Sequence, residues 1–559
     1  MTDRSIPARL SIALAQTNPT VGNVTANAER VLAARAEAAA RGADLVVYTE
    51  LVLSGYPPED LVLKPFFLDR VEKAVADLAL ATADGGPAML VGAPWRQDGR
   101  VHNAALLLDG GTVAAVRLKH DLPNYGVFDE KRVFAAGPLP GPVNFRGVRL
   151  GVLICEDMWT PDVAEALAET GAEILVVPNG SPFEVGKHDQ RVALAVARVT
   201  ETGLPLIYVN QVGGQDELVF DGSSFVIDGD RSLKSLSPGF AEHLTLTRWA
   251  RGADDRWTCA EGEMIPPAEG LEAVYSALVL GLRDYVNKNR FPGVILGLSG
   301  GIDSALSAAV AVDALGPDRV HGVMMPSPYT SQESLDDAAE SAELLGCRID
   351  TISIVPAMDA FGSMLAPAFA GRDPDITEEN IQSRARGLTL MALSNKFGAM
   401  VLSTGNKSEV SVGYATLYGD MCGGYSVLKD VYKTMVFALS RWRNQHQPAG
   451  ARGPGGCVVP ERVLVKPPTA ELKPNQTDQD SLPPYDVLDD ILECLVERDM
   501  GIPDIIARGH PAETVNKVWR LLHIAEYKRR QACPGVKITP RLFGRDRRYP
   551  ITNGFTNIV

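Results

Sequence analysis

Two groups of residues in this 559-residue chain have the types and spacing to do covalent chemistry. The first is a carboxylate, an amine and a thiol, each at the end of an apolar run. Glu50 sits in Tyr48-Thr-Glu50-Leu-Val-Leu-Ser-Gly-Tyr56-Pro, Lys119 in Arg117-Leu-Lys119-His-Asp-Leu-Pro-Asn-Tyr125-Gly-Val-Phe-Asp-Glu130, and Cys155 in Gly151-Val-Leu-Ile-Cys155-Glu156-Asp157. A thiol needs a base to become a nucleophile, and the oxyanion formed when it attacks a carbonyl needs a cation or N–H donors. Glu50 is the expected base and Cys155 the nucleophile. Lys119 is the expected cation that lowers the thiol pKa and steadies the tetrahedral intermediate.

The second group is Leu296-Gly297-Leu298-Ser299-Gly300-Gly301-Ile302-Asp303-Ser304-Ala305, a buried strand running through a small-residue turn into a helix. Backbone N–H groups at Ser299, Gly300 and Gly301 can approach an anion without interference, and the helix dipole adds its positive end. The Walker pattern is absent, and an acid, Asp303, stands where that loop carries its lysine. An acid beside a triphosphate needs a metal ion between them. Asp303 is therefore expected to hold Mg²⁺ on pyrophosphate, which suits cleavage between the α- and β-phosphates of ATP.

The elements that must position these groups read as α/β throughout. Leu45–Tyr48, Ala88–Val91, Ala104–Leu108, Leu150–Ile154, Ile174–Val177 and Leu206–Val209 read as strands, and Asn27–Arg41 and Asp189–Thr202 as helices. That pattern predicts a layered domain over residues 8–250. Residues 251–270 lose periodicity and read as a linker. A second domain, 271–559, opens with a helix over Leu271–Lys288. Strands at Val294–Leu298, Val320–Met325, Asp350–Ile354 and Met400–Ser403 then suggest a doubly wound parallel sheet with the phosphate loop after its first strand. Residues 445–485, rich in Pro, Gly and Gln, read as long loops.

A formal net charge of −15 disfavours a nucleic-acid footprint, although Lys528–Arg530 and Arg541–Arg548 make one local basic run. No apolar run is long enough to cross a bilayer, and the first ten residues lack a leader pattern, so cytoplasmic residence is expected. Seven scattered cysteines without metal-like spacing read as reduced thiols.

The order and context of Glu50, Lys119 and Cys155 resemble the nitrilase superfamily, and the Ser299–Ser304 loop resembles that of the N-type ATP pyrophosphatases. Further segments strengthen the second likeness: Leu402-Ser-Thr404-Gly-Asn406-Lys407-Ser-Glu409, Gly419–Lys433, Pro468–Pro483, Lys528–Lys537 and Phe543–Arg548. Together the two halves resemble the glutamine-dependent NAD synthetases. The resemblance implies an N-terminal nitrilase-like α-β-β-α sandwich, which hydrolyses glutamine, followed by an ATP pyrophosphatase domain. There ATP adenylylates the nicotinate carboxylate of deamido-NAD⁺, and ammonia displaces AMP to give NAD⁺.

By the same resemblance, Tyr56, Tyr125 and Glu130 support the thiol site, and Tyr125, Ser181 and Lys187 contact glutamine. Leu296 through Ser304, with Thr404, would bind ATP. Asn380, Arg384, Glu409, Lys429, Lys433 and Lys528 would bind deamido-NAD⁺. Asp303 and Glu409 would hold Mg²⁺, with Lys407 and Lys429 neutralising pyrophosphate. The implied partners are small molecules, with no nucleic acid, no membrane and assembly as a homo-oligomer. Ammonia is mostly protonated in neutral water, so an internal tunnel between the domains is expected. A tRNA-modifying pyrophosphatase fits less well, for want of an RNA-binding module in so acidic a chain. Amidotransferases with an N-terminal cysteine are excluded by Thr2, and Cys–His types lack their context at His120 and His188. A silent metabolite sensor would have lost Glu50, Cys155 or Asp303, and all three are present.

Overall fold

A computed structural model describes residues 8–474 and 476–555. The stretch through Pro7, part of the segment read for a leader, and residues 556–559 of the expected second domain lie outside the described residues. The chain divides into two units at Ala268/Glu269.

In the first unit, strands β1 (Arg9–Gln16), β2 (Leu45–Val47), β3 (Ala88–Gln97), β4 (Arg100–Asp109), β5 (Thr112–Leu118), β6 (Val143–Phe145), β7 (Val148–Val152), β8 (Ile174–Asn179) and β9 (Leu206–Asn210) come first. They are followed by a hairpin, β10 (Val212–Gln215) and β11 (Leu218–Asp221), and then by β12 (Phe225–Ile227), β13 (Leu233–Leu236), β14 (His243–Arg251) and β15 (Trp257–Cys259). Two sheets result, ordered β15-β14-β1-β2-β3-β4-β5 and β13-β12-β9-β8-β7-β6. Alternate residues serve opposite faces of each strand. Along β1, Ile12 and Leu14 enter the core between the sheets with Val47, Ile174 and Ile207, while Ala13 and Ala15 face the outer core. Helices Val24–Ala40 and Pro65–Ala81 cover the first sheet, and Asp162–Glu169 and Lys187–Thr202 the second. This is the expected α-β-β-α sandwich.

The expected linker contains β15, paired antiparallel with β14. Trp257 and Cys259 point into the core between the sheets and Thr258 points out, so a three-residue strand, too short to register as a period, closes the edge. The linker is correspondingly shorter than residues 251–270.

The second unit holds one parallel sheet, ordered β18-β17-β16-β19-β20, from β16 (Val294–Gly297), β17 (Val320–Met324), β18 (Arg348–Thr351), β19 (Met400–Ser403) and β20 (Tyr425–Ser426). Strand order reverses between β16 and β19, and the carboxyl ends of strands at such a point are where open α/β sheets receive ligands. The helix after β16, Ile302–Leu315, is buried at every residue except Asp303. Helices Tyr485–Val496, Ile502–Ala507 and Ala512–Ile524 pack a separate apolar cluster. Within 445–485, read as loops, one short helix forms at Glu461–Val465 and one 3₁₀ turn at Asp478–Asp480.

Candidate active sites

Glu50 follows β2, Lys119 directly follows β5, and Cys155 opens a 3₁₀ turn after β7, so three strand ends deliver the three side chains. The loop carrying Glu50 lies against Gly92 of β3. A Cβ there would stand 2.3 Å from the Leu51 nitrogen and 2.6 Å from the Thr49 carbonyl. Lys119 Nζ donates to Glu50 Oε1 at 2.7 Å and to both oxygens of Glu130 at 2.9 and 3.0 Å. Asn103 Nδ2 donates to Glu50 Oε1 (2.8 Å), the Gly180 N–H to Glu50 Oε2 (2.9 Å), and Tyr56 OH to Glu130 Oε1 (2.8 Å). All of these side chains are buried.

Burial works to strip the proton from Lys119, but Glu130 and Glu50 overcome it and hold the ammonium well above its usual range. Burial likewise raises the Glu130 carboxyl to about 7, opposed by Lys119. Cys155 corrects one expectation. Its thiol is raised, not lowered: burial and the Glu50 charge push it up, and Lys119 opposes them without prevailing. A thiol shifted in this direction would need an adjacent base to act as a nucleophile. Its backbone sits at φ +50°, a left-handed conformation disfavoured for a residue with a Cβ and common at functional turns.

Sequence reasoning missed the carboxylate that ties this loop to the Lys119 loop. Asp157 accepts from the N–H groups of His120 (3.0 Å), Asp121 (2.8 Å) and Ile154 (2.9 Å). Nearby, Tyr125 OH donates to Glu156 (3.0 Å) and its ring packs edge-on against Phe128. Lys187 lies 5.7 Å from the Trp159 ring and 6.0 Å from that of Phe128, with Glu184 at 3.4 Å. Ser181 is held by Arg191, which donates to its Oγ at 3.0 Å and pairs with Asp221 at 2.8 and 2.9 Å.

In the second unit the phosphate loop opens onto a cleft of about 510 Å³. Gly297 through Ser304, Thr404, Asn380, Arg384, Glu409, Lys433 and Lys528 all line it. Leu296 and Lys429 do not. Leu296 is buried within β16, and Lys429 packs under Gly535, where a Cβ would meet its side chain at 2.7 Å. Gly300 has φ +78°, and a Cβ there would lie 2.2 Å from the Ser334 carbonyl. Asn380, Arg384 and Lys528 gather on one loop. Asn380 accepts from Thr416, Arg384 donates to Leu417 O, and Lys528 donates to Gly413 O and Ala415 O.

Lys433 Nζ bridges Asp303 Oδ2 (2.5 Å) and Glu409 Oε1 (3.0 Å), and Asn406 Nδ2 donates to Asp303 Oδ1 (2.9 Å). Burial raises the Glu409 carboxyl to about 7, with Lys433 opposing. The two acids therefore converge where a cation is needed, and their hard oxygens fit Mg²⁺. No group of three or more His, Cys, Asp or Glu is assembled among the described residues. Mg²⁺ ordinarily takes one or two carboxylates and completes its shell with phosphates and water. Lys407 does not serve there. Its ammonium is sealed among Asp430 (2.6 Å), Glu497 (2.5 Å), Thr539 (2.7 Å) and the Arg541 carbonyl (2.9 Å), because the helix it opens carries its side chain into the protein.

Comparison with known proteins matches the two halves of the chain to two families. The Carbon-nitrogen hydrolase family matches residues 11–247, and the NAD synthase family matches residues 274–532. A glutamine-dependent NAD(+) synthetase from Rhodobacter capsulatus is 53% identical over 545 residues, covering 98% of each chain. The chain belongs to the glutamine-dependent NAD(+) synthetase family. A second relative of that name, from Xanthomonas campestris pv. campestris (strain 8004), is 50% identical over 98% of each chain. A solved structure of glutamine-dependent NAD+ synthetase from Acinetobacter baumannii, in complex with ADP, is 45% identical with a TM-score of 0.78, over 98% of this chain and 99% of that one. In this member of the family, Glu50, Lys119 and Cys155 fall inside the hydrolase match, and Asp303, Glu409 and Lys433 inside the synthase match.

Two outcomes are expected. Alkylation of Cys155 by iodoacetamide, followed by peptide mass mapping, should be slow at pH 7 and climb only above the usual thiol range; a rate already at plateau near neutrality would mean a resting thiolate. Gly300→Ala should lower nucleotide affinity at least tenfold by calorimetry, since left-handed strain of about 1–2 kcal/mol adds to a clash with backbone. Unchanged affinity would mean the loop has another geometry.

Proposed function

We propose that the first unit releases ammonia from glutamine at Cys155 and that the second attaches it to deamido-NAD⁺ at the expense of ATP. The observation that carries this reading is a pair of separate lysine–dicarboxylate centres, one beside a thiol and one beside a glycine-rich phosphate loop. Glu50 takes the Sγ proton as sulfur attacks the glutamine amide carbon, then passes it to the departing nitrogen. The C–N bond breaks, ammonia leaves and a thioester remains. Water, deprotonated by Glu50, cleaves the thioester and frees glutamate. Lys119 keeps Glu50 aimed and faces the charge that develops on the carbonyl oxygen. Tyr125, Ser181 and Lys187 would contact the glutamine.

In the second unit a carboxylate oxygen of deamido-NAD⁺ attacks the α-phosphorus of ATP, and pyrophosphate leaves. A carboxylate is a poor acyl donor because its leaving group would be oxide; the adenylate supplies AMP instead. Ammonia then adds to the acyl carbon and AMP departs. Gly297 through Ser304 and Thr404 would receive ATP, and Asn380, Arg384, Glu409, Lys433 and Lys528 the deamido-NAD⁺. Asp303 and Glu409 would hold Mg²⁺, which supplies charge neutralisation at pyrophosphate.

Assembly with further copies of the chain belongs to this reading. Helix Val355–Leu365 buries none of its residues, and with helix Ile376–Phe397 it leaves Phe361, Met364, Leu388 and Met391 exposed. Such an apolar face marks an interaction surface. All seven cysteines are unbridged, as a reducing cytoplasm would leave them, and no described helix is long and apolar enough to cross a membrane.

Cys155→Ala should abolish glutamine-driven NAD⁺ synthesis, by about 10³-fold or more, and spare synthesis from ammonium chloride; equal loss of both would refute separate centres. In sedimentation velocity, Met364→Glu with Leu388→Glu should dissociate an oligomer into monomers, and a monomeric unsubstituted protein at micromolar concentration would refute assembly.

A further inference from the structure

The second unit needs a positive charge at the phosphorus where the reaction occurs, and a census of its cations shows which residue can supply one. Lys407 is sealed away from the cleft. Lys429 does not line it. Lys433, which opens the helix after β20, is committed to Asp303 and Glu409 on the helices that follow β16 and β19, beside the phosphate loop and on the side that would receive the outer phosphates and the metal. Lys466 donates to Ser334 Oγ at 2.6 Å with Glu471 and Asp337 at 3.8 Å. Arg384 and Lys528 are turned to the carbonyls of the Gly413–Leu417 loop.

Arg386 is left. It stands on helix Ile376–Phe397, lines the cleft and is half-buried. Its Nε donates to the carbonyl of Met325 at 3.2 Å, directly after β17, the strand beside β16. No carboxylate pairs with it among the described residues. Burial lowers the guanidinium from its ordinary value, and Glu471 and Asp420 offset only part of that cost. A guanidinium held in a half-dry cleft against one neutral carbonyl is unfavourable unless an anion arrives. The Met325 bond fixes the Nε edge, and the fork that remains is suited to two oxygens of one phosphate.

We propose that Arg386 is a catalytic residue for adenylylation, binding the α-phosphate of the nucleotide and stabilising the charge that builds on it as the carboxylate attacks. This rests on the reading of the second unit given above. The outer phosphates belong to the glycine loop and to the acids on the helices after β16 and β19, so the neighbouring strand end, that of β17, is where the α-phosphate should fall. Arg386 holds a different part of the nucleotide from every residue placed so far.

Calorimetry on the full-length chain tests it with three probes: adenosine, AMP and α,β-methylene ATP. Arg386→Gln should weaken AMP and the ATP analogue alike by about 10- to 100-fold, as loss of a charged hydrogen-bond pair would, and leave adenosine unchanged. Arg386→Lys, which keeps charge without the fork, should recover part of the loss and lower kcat for ammonia-driven synthesis more than it raises KM for ATP. Equal weakening of adenosine would assign Arg386 a merely structural role at Met325. Weakening of the ATP analogue alone would assign it to the outer phosphates. No weakening would remove it from the site, and each of these three results overturns the proposal. If the unsubstituted protein bound neither AMP nor the analogue, the nucleotide reading of the cleft itself would fall instead.

Discussion

Lys119 carries its ammonium to a point that water does not reach, and the charge survives there only because two carboxylates face it. Removing Lys119 would leave two buried carboxylates facing each other without their counter-charge, a loss of about 3–5 kcal/mol. The remaining lone pairs are met by Asn103 from β4, the Gly180 N–H after β8 and Tyr56 from the loop beyond β2. Those donors come from both sheets. The charge can be buried only when the sandwich closes, so the reactive centre and the first fold form together.

A similar device in the second unit serves another end. Lys433 also lies between two acids, but Asp303 and Glu409 keep 18% of their side-chain surface exposed, whereas Glu50 and Lys119 keep none. The first arrangement is permanent. The second is open to the cleft, where an arriving divalent cation and its phosphates can take over the role of the ammonium.

Much of this was legible in the sequence because strand ends carry the chemistry. Glu50, Lys119 and Cys155 each follow an apolar run, Asp303 follows one through a small-residue turn, and an apolar run that stops at a polar residue marks a strand reaching the edge of a core. What escaped is long-range. Asp157, Arg191 and Asn406 each reach a partner far off in sequence, at separations of 37, 10 and 103 residues, a pairing no local pattern records. Lys407 shows the converse, a lysine beside the right motif whose helix turns it inward. The local basic run near the C-terminus, which composition alone could equally read as a solvated charge run, makes internal contacts. Arg529 donates to the Ser411 carbonyl, Arg530 pairs with Glu526, and Arg547 stacks on Tyr549.

The burial that raises Cys155 also bears on how the protein meets oxidants. Peroxide reacts with thiolates, and an enclosed sulfur that keeps its proton presents almost none. In the proposed reaction such a sulfur would become reactive when an amide is bound and a carboxylate is free to accept hydrogen. On that reading its vulnerability would be confined to the moments of turnover.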